Sequence, residues 1–104
     1  MDLSAPNSAM HGLEERAAEA TAFLKKLANQ DRLMIVCTLV QGECSVRDLE
    51  ARLSLRQPSL SQQLGELRQA GIIAGRKEGR EMFYRLADAR AEALVGTLYQ
   101  LFCQ

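Results

Sequence analysis

Two short amphipathic segments between Ser45 and Gly71 constrain the fold of this chain more than any other feature. Ser45 followed by Asp48 resembles a capping box with Asp in place of Glu, and it begins a predicted helix, VRDLEARL. The connector SLRQ leads to Pro58, a residue that is favoured in the first turn of a helix. A second helix, PSLSQQLGELRQA, then ends at Gly71. Two short helices joined by a tight connector predict a helix-turn-helix.

The segments before this pair predict two further helices. From Leu13 to Leu27, apolar residues recur at steps of three and four, which indicates an amphipathic first helix. Asn29 caps a second helix that ends near Gly42, and its stretch LMIVCTLV is apolar almost all round, as is typical of a buried central helix. Residues 1–12 are small, polar and aperiodic, and they are predicted to form a flexible N-terminal arm ahead of a single domain at 13–104.

The segments after Gly71 predict a hairpin and a last helix. IIAGRK and EMFYRL flank Glu78-Gly79-Arg80, which is typical of a β-hairpin, and Asp88 then caps a helix. The apolar stripe of this helix consists of Leu94, Val95, Leu98, Tyr99 and Phe102. The stripe is too wide for one small domain to cover, so together with the first helix it predicts a homodimer. The fold class is therefore mainly α with one β-hairpin, a dimeric winged helix-turn-helix of about five helices.

Charge distribution favours a polyanionic partner for the second half of the chain. The whole chain has 13 Lys+Arg and 13 Asp+Glu, but residues 51–86 contain seven basic and three acidic residues. The longest apolar run, residues 33–40, is far shorter than the roughly 20 residues of a membrane helix. With no signal segment at its N-terminus, the chain is expected in the cytoplasm, away from membranes.

The second short helix is the predicted reader of double-stranded DNA. With Leu60, Leu64 and Leu67 turned inward, this helix presents to solvent amide and hydroxyl side chains that can hydrogen-bond to base edges and phosphates. The hairpin tip RKEGR is predicted to form a basic wing beside it. A solvated polar helix and turn is the alternative, but the order of polar helix and basic hairpin favours DNA. The predicted DNA-binding residues are Arg56, Gln57, Ser59, Ser61, Gln62, Gln63, Arg68, Arg76, Lys77 and Arg80.

From Leu24 to Asp88 the chain resembles the ArsR/SmtB family of dimeric winged-helix repressors, most specifically in SLSQQLGELRQAGII and RKEGREMFYRL. The resemblance implies a homodimer on a palindromic operator that dissociates when an inducer binds. Arg56 departs from the family pattern, because relatives commonly have a serine there that caps the reader helix. The family's thiolate metal site resembles L-C-V-C-D-L, whereas this chain has CSVRDL, with Ser45 and Arg47 at the ligand positions.

The family's zinc site requires histidine on the last helix, and the only histidine of the chain is His11. No catalytic residue, metal or other cofactor is therefore expected. The fragments RLMIVC and LYQLFC instead resemble the branch of the family that responds to reactive sulfur species and oxidants. This resemblance implies that Cys37 and Cys103 are the sensing dithiol, joined by a disulfide or a polysulfide bridge when the inducer acts. Cys44 is interpreted as a spare thiol.

Four alternatives remain open. Cys37 and Cys103 could be unrelated buried residues, although a fraying helix end is a poor place to bury Cys103. The two thiols could bind a soft metal or a metalloid such as As(III) together with Cys44. The chain could be a protein-interaction module with no role on DNA, which the basic wing disfavours. An enzyme is the weakest hypothesis, because there is no Ser/His/Asp set and no phosphate-binding glycine loop.

Overall fold

The computed structural model describes residues 7–103, which form a winged helix-turn-helix of five helices and one antiparallel sheet. The helices are α1 (Asn7–Leu27), α2 (Gln30–Val40), α3 (Val46–Leu53), α4 (Ser59–Gln69) and α5 (Ala89–Phe102). The strands are β1 (Cys44–Ser45), β2 (Ile73–Glu78) and β3 (Glu81–Leu86), in the order β1-β3-β2. The predicted winged helix-turn-helix of five helices and one hairpin is confirmed, and β1 is an addition that the sequence did not indicate.

Side-chain caps begin three of the helices where the sequence predicted them. The Asn29 side chain accepts a hydrogen bond from the Arg32 amide at 3.1 Å, and the Ser45 hydroxyl accepts one from the Asp48 amide at 3.0 Å. Asp88 caps α5 in the same way, with its carboxylate 2.9 Å from a backbone amide of the first turn. Each cap satisfies an amide that has no partner within its helix.

Two glycines end segments at positions that require a positive φ. Gly71 has φ 76° and follows α4, and the Ile72 amide then donates to the Leu67 carbonyl at 3.0 Å. Gly79 has φ 63° in the two-residue turn between β2 and β3. Both conformations are unfavourable for side chains with a Cβ, so both glycines fix chain reversals.

The first helix begins earlier than the sequence predicted. α1 starts at Asn7 rather than Leu13, so the predicted flexible arm is wrong for residues 7–12, while residues 1–6 lie outside the described part of the chain. Helix growth is cooperative, and a single interior glycine such as Gly12 costs only about 1 kcal/mol. His11 also reaches Glu15 one turn later, with 3.2 Å between its Nε2 and a carboxylate oxygen.

The core lies between α2, the helix-turn-helix and the sheet. Ile35 and Val36 are fully buried, which confirms that α2 is the central helix. The inward positions of α4 are also buried as predicted, namely Leu60, Leu64 and Leu67. This packing fixes which side of α4 faces solvent. Within residues 7–103, no helix has both the length and the apolar character needed to cross a membrane.

Candidate DNA interface and thiol groove

The reader helix begins without a side-chain cap. α4 starts at Ser59, after Pro58, and no side chain hydrogen-bonds to its first amides. Backbone carbonyls begin the turn instead, because Arg56 accepts from the Leu60 amide at 3.0 Å and Pro58 accepts from the Gln62 amide at 3.0 Å. Arg56 therefore contributes its backbone carbonyl, and its exposed side chain remains available to solvent.

Exposed polar groups cover the start of the reader helix. Gln57, Ser61 and Gln62 are exposed, and Ser59 is half-buried. The Ser61 hydroxyl donates to the Gln57 side-chain oxygen, and the Gln57 amide nitrogen donates to the Glu50 carboxylate at 3.3 Å. This chain of hydrogen bonds holds the Gln57 and Ser61 side chains side by side at the N-terminal end of α4.

Gln63 differs from its neighbours, because it faces the body of the protein. It is half-buried, and its side-chain oxygen accepts a hydrogen bond from Nη1 of Arg32 at 2.8 Å. Arg32 also donates from Nε to the Lys26 carbonyl at 2.6 Å. A contact of Gln63 with DNA would have to share this amide. The sequence reasoning missed Arg32, and the signal that could have found it is an arginine in the first turn of an otherwise apolar helix.

The wing contains both a tethered cation and free ones. Arg76 pairs with Glu43 at 2.7 Å and with Glu78 at 3.2 Å, and its guanidinium lies 4.7 Å from the centroid of the Phe83 ring. The hydrogen bond from Arg76 lowers the pKa of the Glu43 carboxyl, and the carboxylates of Glu43 and Glu78 raise the pKa of Arg76. Arg76 thus joins the wing to the segment that follows α2.

The remaining predicted phosphate contacts are exposed to solvent. Lys77 and Arg80 near the tip of the hairpin and Arg68 at the end of α4 are exposed, and none of them forms an ion pair with another residue of 7–103. Together with Arg56, they are positive charges free to approach a polyanion.

A second candidate site lies between α2 and α5. A groove of about 860 Å³ separates the two helices, and both Cys37 and Cys103 lie on its wall. Its apolar lining comes from both helices and consists of Leu33, Met34, Val40, Val95, Leu98, Tyr99 and Phe102. Cys37 is half-buried on α2, whereas Cys103 is exposed at the end of α5, where its amide donates to the Tyr99 carbonyl at 2.8 Å. The sequence-predicted pair therefore shares one groove.

The two thiols are near enough to influence each other. Burial raises the pKa of Cys37, and negative charge on Cys103 raises the pKa further. All three cysteines are free thiols. Cys103 is therefore the thiol that solutes can reach, whereas burial disfavours the thiolate of Cys37.

The third thiol, Cys44, does not line the groove that Cys37 and Cys103 share. Cys44 is buried in β1, where it pairs with Tyr84 of β3. Within the described residues, no three His, Cys, Asp or Glu side chains come together as metal ligands. The hypothesis of a three-thiolate site for a soft metal or metalloid therefore finds no support in the geometry.

The fold, the exposed polar reader and the basic wing define a winged helix-turn-helix regulator of transcription. Residues 29–74 match the family described as bacterial regulatory protein, arsR family. The chain is 55% identical over 91 residues to a biofilm growth-associated repressor of Agrobacterium fabrum, covering 88% of this chain and 78% of that protein. It is also 41% identical to the transcriptional activator HlyU of Vibrio cholerae, over 88% of this chain and 85% of the relative.

A solved structure extends the similarity to three dimensions. The repressor BigR of Xylella fastidiosa has a TM-score of 0.89 and 48% identity, over 91% of this chain and 97% of that one. The chain belongs to the arsR family of bacterial regulatory proteins. It is therefore a regulator and not an enzyme, as the sequence predicted.

Proposed function

We propose that this chain is a homodimeric cytoplasmic repressor that binds a palindromic DNA operator and releases it when Cys37 and Cys103 become linked. The inducers are persulfides, polysulfides or oxidants. The observation that carries the proposal is the common groove, which brings a half-buried thiol of α2 and an exposed thiol of α5 together although they are 66 positions apart in the sequence. The name of the Agrobacterium relative supports repression rather than activation.

The exposure of the two thiols sets the order of the chemistry. Cys103 is exposed, so its thiolate attacks the terminal sulfur of a persulfide R–S–SH, which gives Cys103–S–SH and releases RS⁻. The Cys37 thiolate then attacks Sγ of Cys103, forming Cys37–S–S–Cys103 and releasing HS⁻. If Cys37 first takes up a sulfur atom in the same way, closure gives a trisulfide bridge and again releases HS⁻. A peroxide reaches the disulfide through a sulfenic acid, with water as the product.

The bridge acts on DNA by fixing α5 against α2. In the dimer, two-fold symmetry places the two copies of α4 about 34 Å apart, one turn of the duplex, and binding depends on that spacing. A change of only a few ångströms in the arrangement of the helices disturbs it. A tenfold loss of operator affinity requires only about 1.4 kcal/mol of coupling.

Exposed apolar residues support the dimer. Tyr99, Leu101 and Phe102 on α5 are 55%, 68% and 78% exposed, and Leu13 and Leu24 on α1 are about half exposed. A water-exposed apolar surface on two neighbouring helices is typical of an interface between subunits. Sedimentation of the reduced protein at micromolar concentration is expected to give a dimer, and a monomer at that concentration would contradict the proposal.

The test combines mass spectrometry with operator binding. The reduced protein is treated with an organic persulfide, with hydrogen peroxide or with arsenite, and each product is analysed intact and titrated with a labelled operator. Persulfide treatment is expected to link Cys37 to Cys103 within one subunit and to weaken operator binding at least tenfold. Cys37→Ser and Cys103→Ser are expected to bind the operator without responding, while the matched control Cys44→Ser responds normally.

Two results would contradict this assignment. A Cys103→Ser variant that still releases the operator would exclude the dithiol. A response to arsenite that requires Cys44 would instead favour a metalloid sensor.

A further inference from the structure

We propose that Arg32 is a positioning residue that transmits movement of the thiol-bearing helix α2 to the reader helix α4. The inference rests on the proposed function and identifies how the same switch reaches DNA. It is carried by the hydrogen bond from Arg32 Nη1 to the Gln63 side-chain oxygen, which spans 2.8 Å and joins two helices 31 residues apart in the sequence.

One guanidinium connects three elements at this point. Arg32 lies in the first turn of α2, and its Nε donates to the Lys26 carbonyl at 2.6 Å, at the end of α1. Its backbone amide donates to the cap residue Asn29 at 3.1 Å. The guanidinium is planar and multidentate, so the carbonyl contact fixes its plane and thereby fixes where Nη1 meets Gln63.

The position of Cys37 on the same helix makes the contact relevant to the switch. Cys37 lies five residues after Arg32 in α2, which places the two Cα atoms about 7.5 Å apart along the helix axis. A helix of this length moves as one rigid element, so a bridge that pulls α2 toward α5 also displaces Arg32. The hydrogen bond then exerts its effect on α4 at Gln63.

Gln63 is well placed to re-aim the reader. It directly follows Ser61 and Gln62, which are exposed, and directly precedes Leu64, which is buried. Successive residues of a helix are about 100° apart around its axis, so Gln62 lies on the face next to Gln63. A rotation of α4 caused by a pull on Gln63 therefore also changes the direction in which the Gln62 side chain points. The contact therefore lies at the border between the reading face and the core.

An ion pair between α1 and α4 provides a comparison within the same molecule. Lys26 Nζ lies 2.7 Å from the Glu66 carboxylate and also holds α4, but it does so from α1. Lys26 meets α2 through its backbone carbonyl, which accepts from Arg32, and not through the side chain that holds Glu66. Among the described residues, the hydrogen bond between Arg32 and Gln63 is the only one between side chains that directly joins α2 to α4.

The experiment measures the ratio of operator dissociation constants between the bridged and the reduced protein. The ratio is expected to be at least ten in the wild type and three or less in Gln63→Met. This variant removes the acceptor but leaves the hydrogen bond from Arg32 to the Lys26 carbonyl in place. Arg32→Met is expected to give the same loss, and the double variant no more than either single variant. The rate at which the bridge forms should be unchanged, which a general loss of structure would not allow.

Gln62→Met is the matched control, with the same change at the adjacent exposed residue. It is expected to weaken operator binding in both forms and to leave the ratio at the wild-type value. A Gln63→Met ratio within twofold of the wild-type ratio would overturn the role of Arg32, as would an equal loss in Gln62→Met. A wild-type protein that bridges without any change in operator binding would instead refute the proposed function itself.

Discussion

Closure of the bridge is expected to accelerate steeply with pH, because burial keeps the attacking thiol, Cys37, largely protonated at neutral pH. Burial and the adjacent Cys103 raise the pKa of Cys37 above its ordinary value of 9.0. Below this pKa, the fraction of Cys37 present as thiolate rises tenfold for each pH unit. Between pH 6.5 and 8.5, the rate of closure is therefore expected to rise about 100-fold, because the thiolate is the attacking species.

The assay separates the two steps in a single turnover. Reduced protein is mixed with one equivalent of an organic persulfide and quenched with an alkylating reagent, and intact mass spectrometry then distinguishes Cys103–S–S–alkyl from the bridge, which resists alkylation. Cys37→Ser is the control, since it takes up sulfur at Cys103 but cannot close, and its pH profile isolates the first step. A closure rate that is flat between pH 6.5 and 8.5, or that levels off below pH 8, would refute the reasoning.

Four further variants test the DNA-binding surface and the core. Arg80→Ala is expected to weaken binding to all duplexes alike and to reduce the salt slope by about one, whereas Arg76→Ala is expected to lower the melting temperature, because it removes the contacts with Glu43 and Phe83. A change in sequence preference for Arg80→Ala would contradict its assignment to the phosphate backbone. Gln62→Ala should narrow the affinity gap between operator and random duplex, and competition titrations with both duplexes measure that gap. Leu60→Ala, at a fully buried site of α4, should reduce the free energy of unfolding by about 2–5 kcal/mol in a urea titration.

Local chemistry explains why much of the fold could be predicted from the sequence. Asn29, Ser45 and Asp88 cap helices through amides two or three residues away, and Gly71 and Gly79 take positive φ at chain reversals. Such features depend on neighbours along the chain, which the sequence displays directly. The start of α1 escaped prediction because helix growth through Gly12 depends on the stability of the turns that follow.

The candidate site was less predictable, because long-range contacts decide which polar side chains are free. Gln63 lies three residues after Leu60 and four before Leu67, so the spacing of the apolar stripe already places it at the edge of the buried face. Its partner Arg32 could not be inferred from that spacing. The contact of Arg76 with Glu43 likewise spans 33 residues, and no local pattern indicates it.

These two long-range contacts lie at opposite ends of α2. Arg32 in its first turn holds Gln63 of the reader, and Glu43, just beyond its last turn, holds Arg76 of the wing. Cys37 lies between them on the same helix. Under the proposed switch, a displacement of α2 by the bridge would therefore reach both DNA-contacting elements together. The wing supplies general affinity, so its displacement would weaken binding to the operator and to random duplex by the same factor. The reader supplies sequence preference, so its displacement would in addition reduce the difference in affinity between the two duplexes.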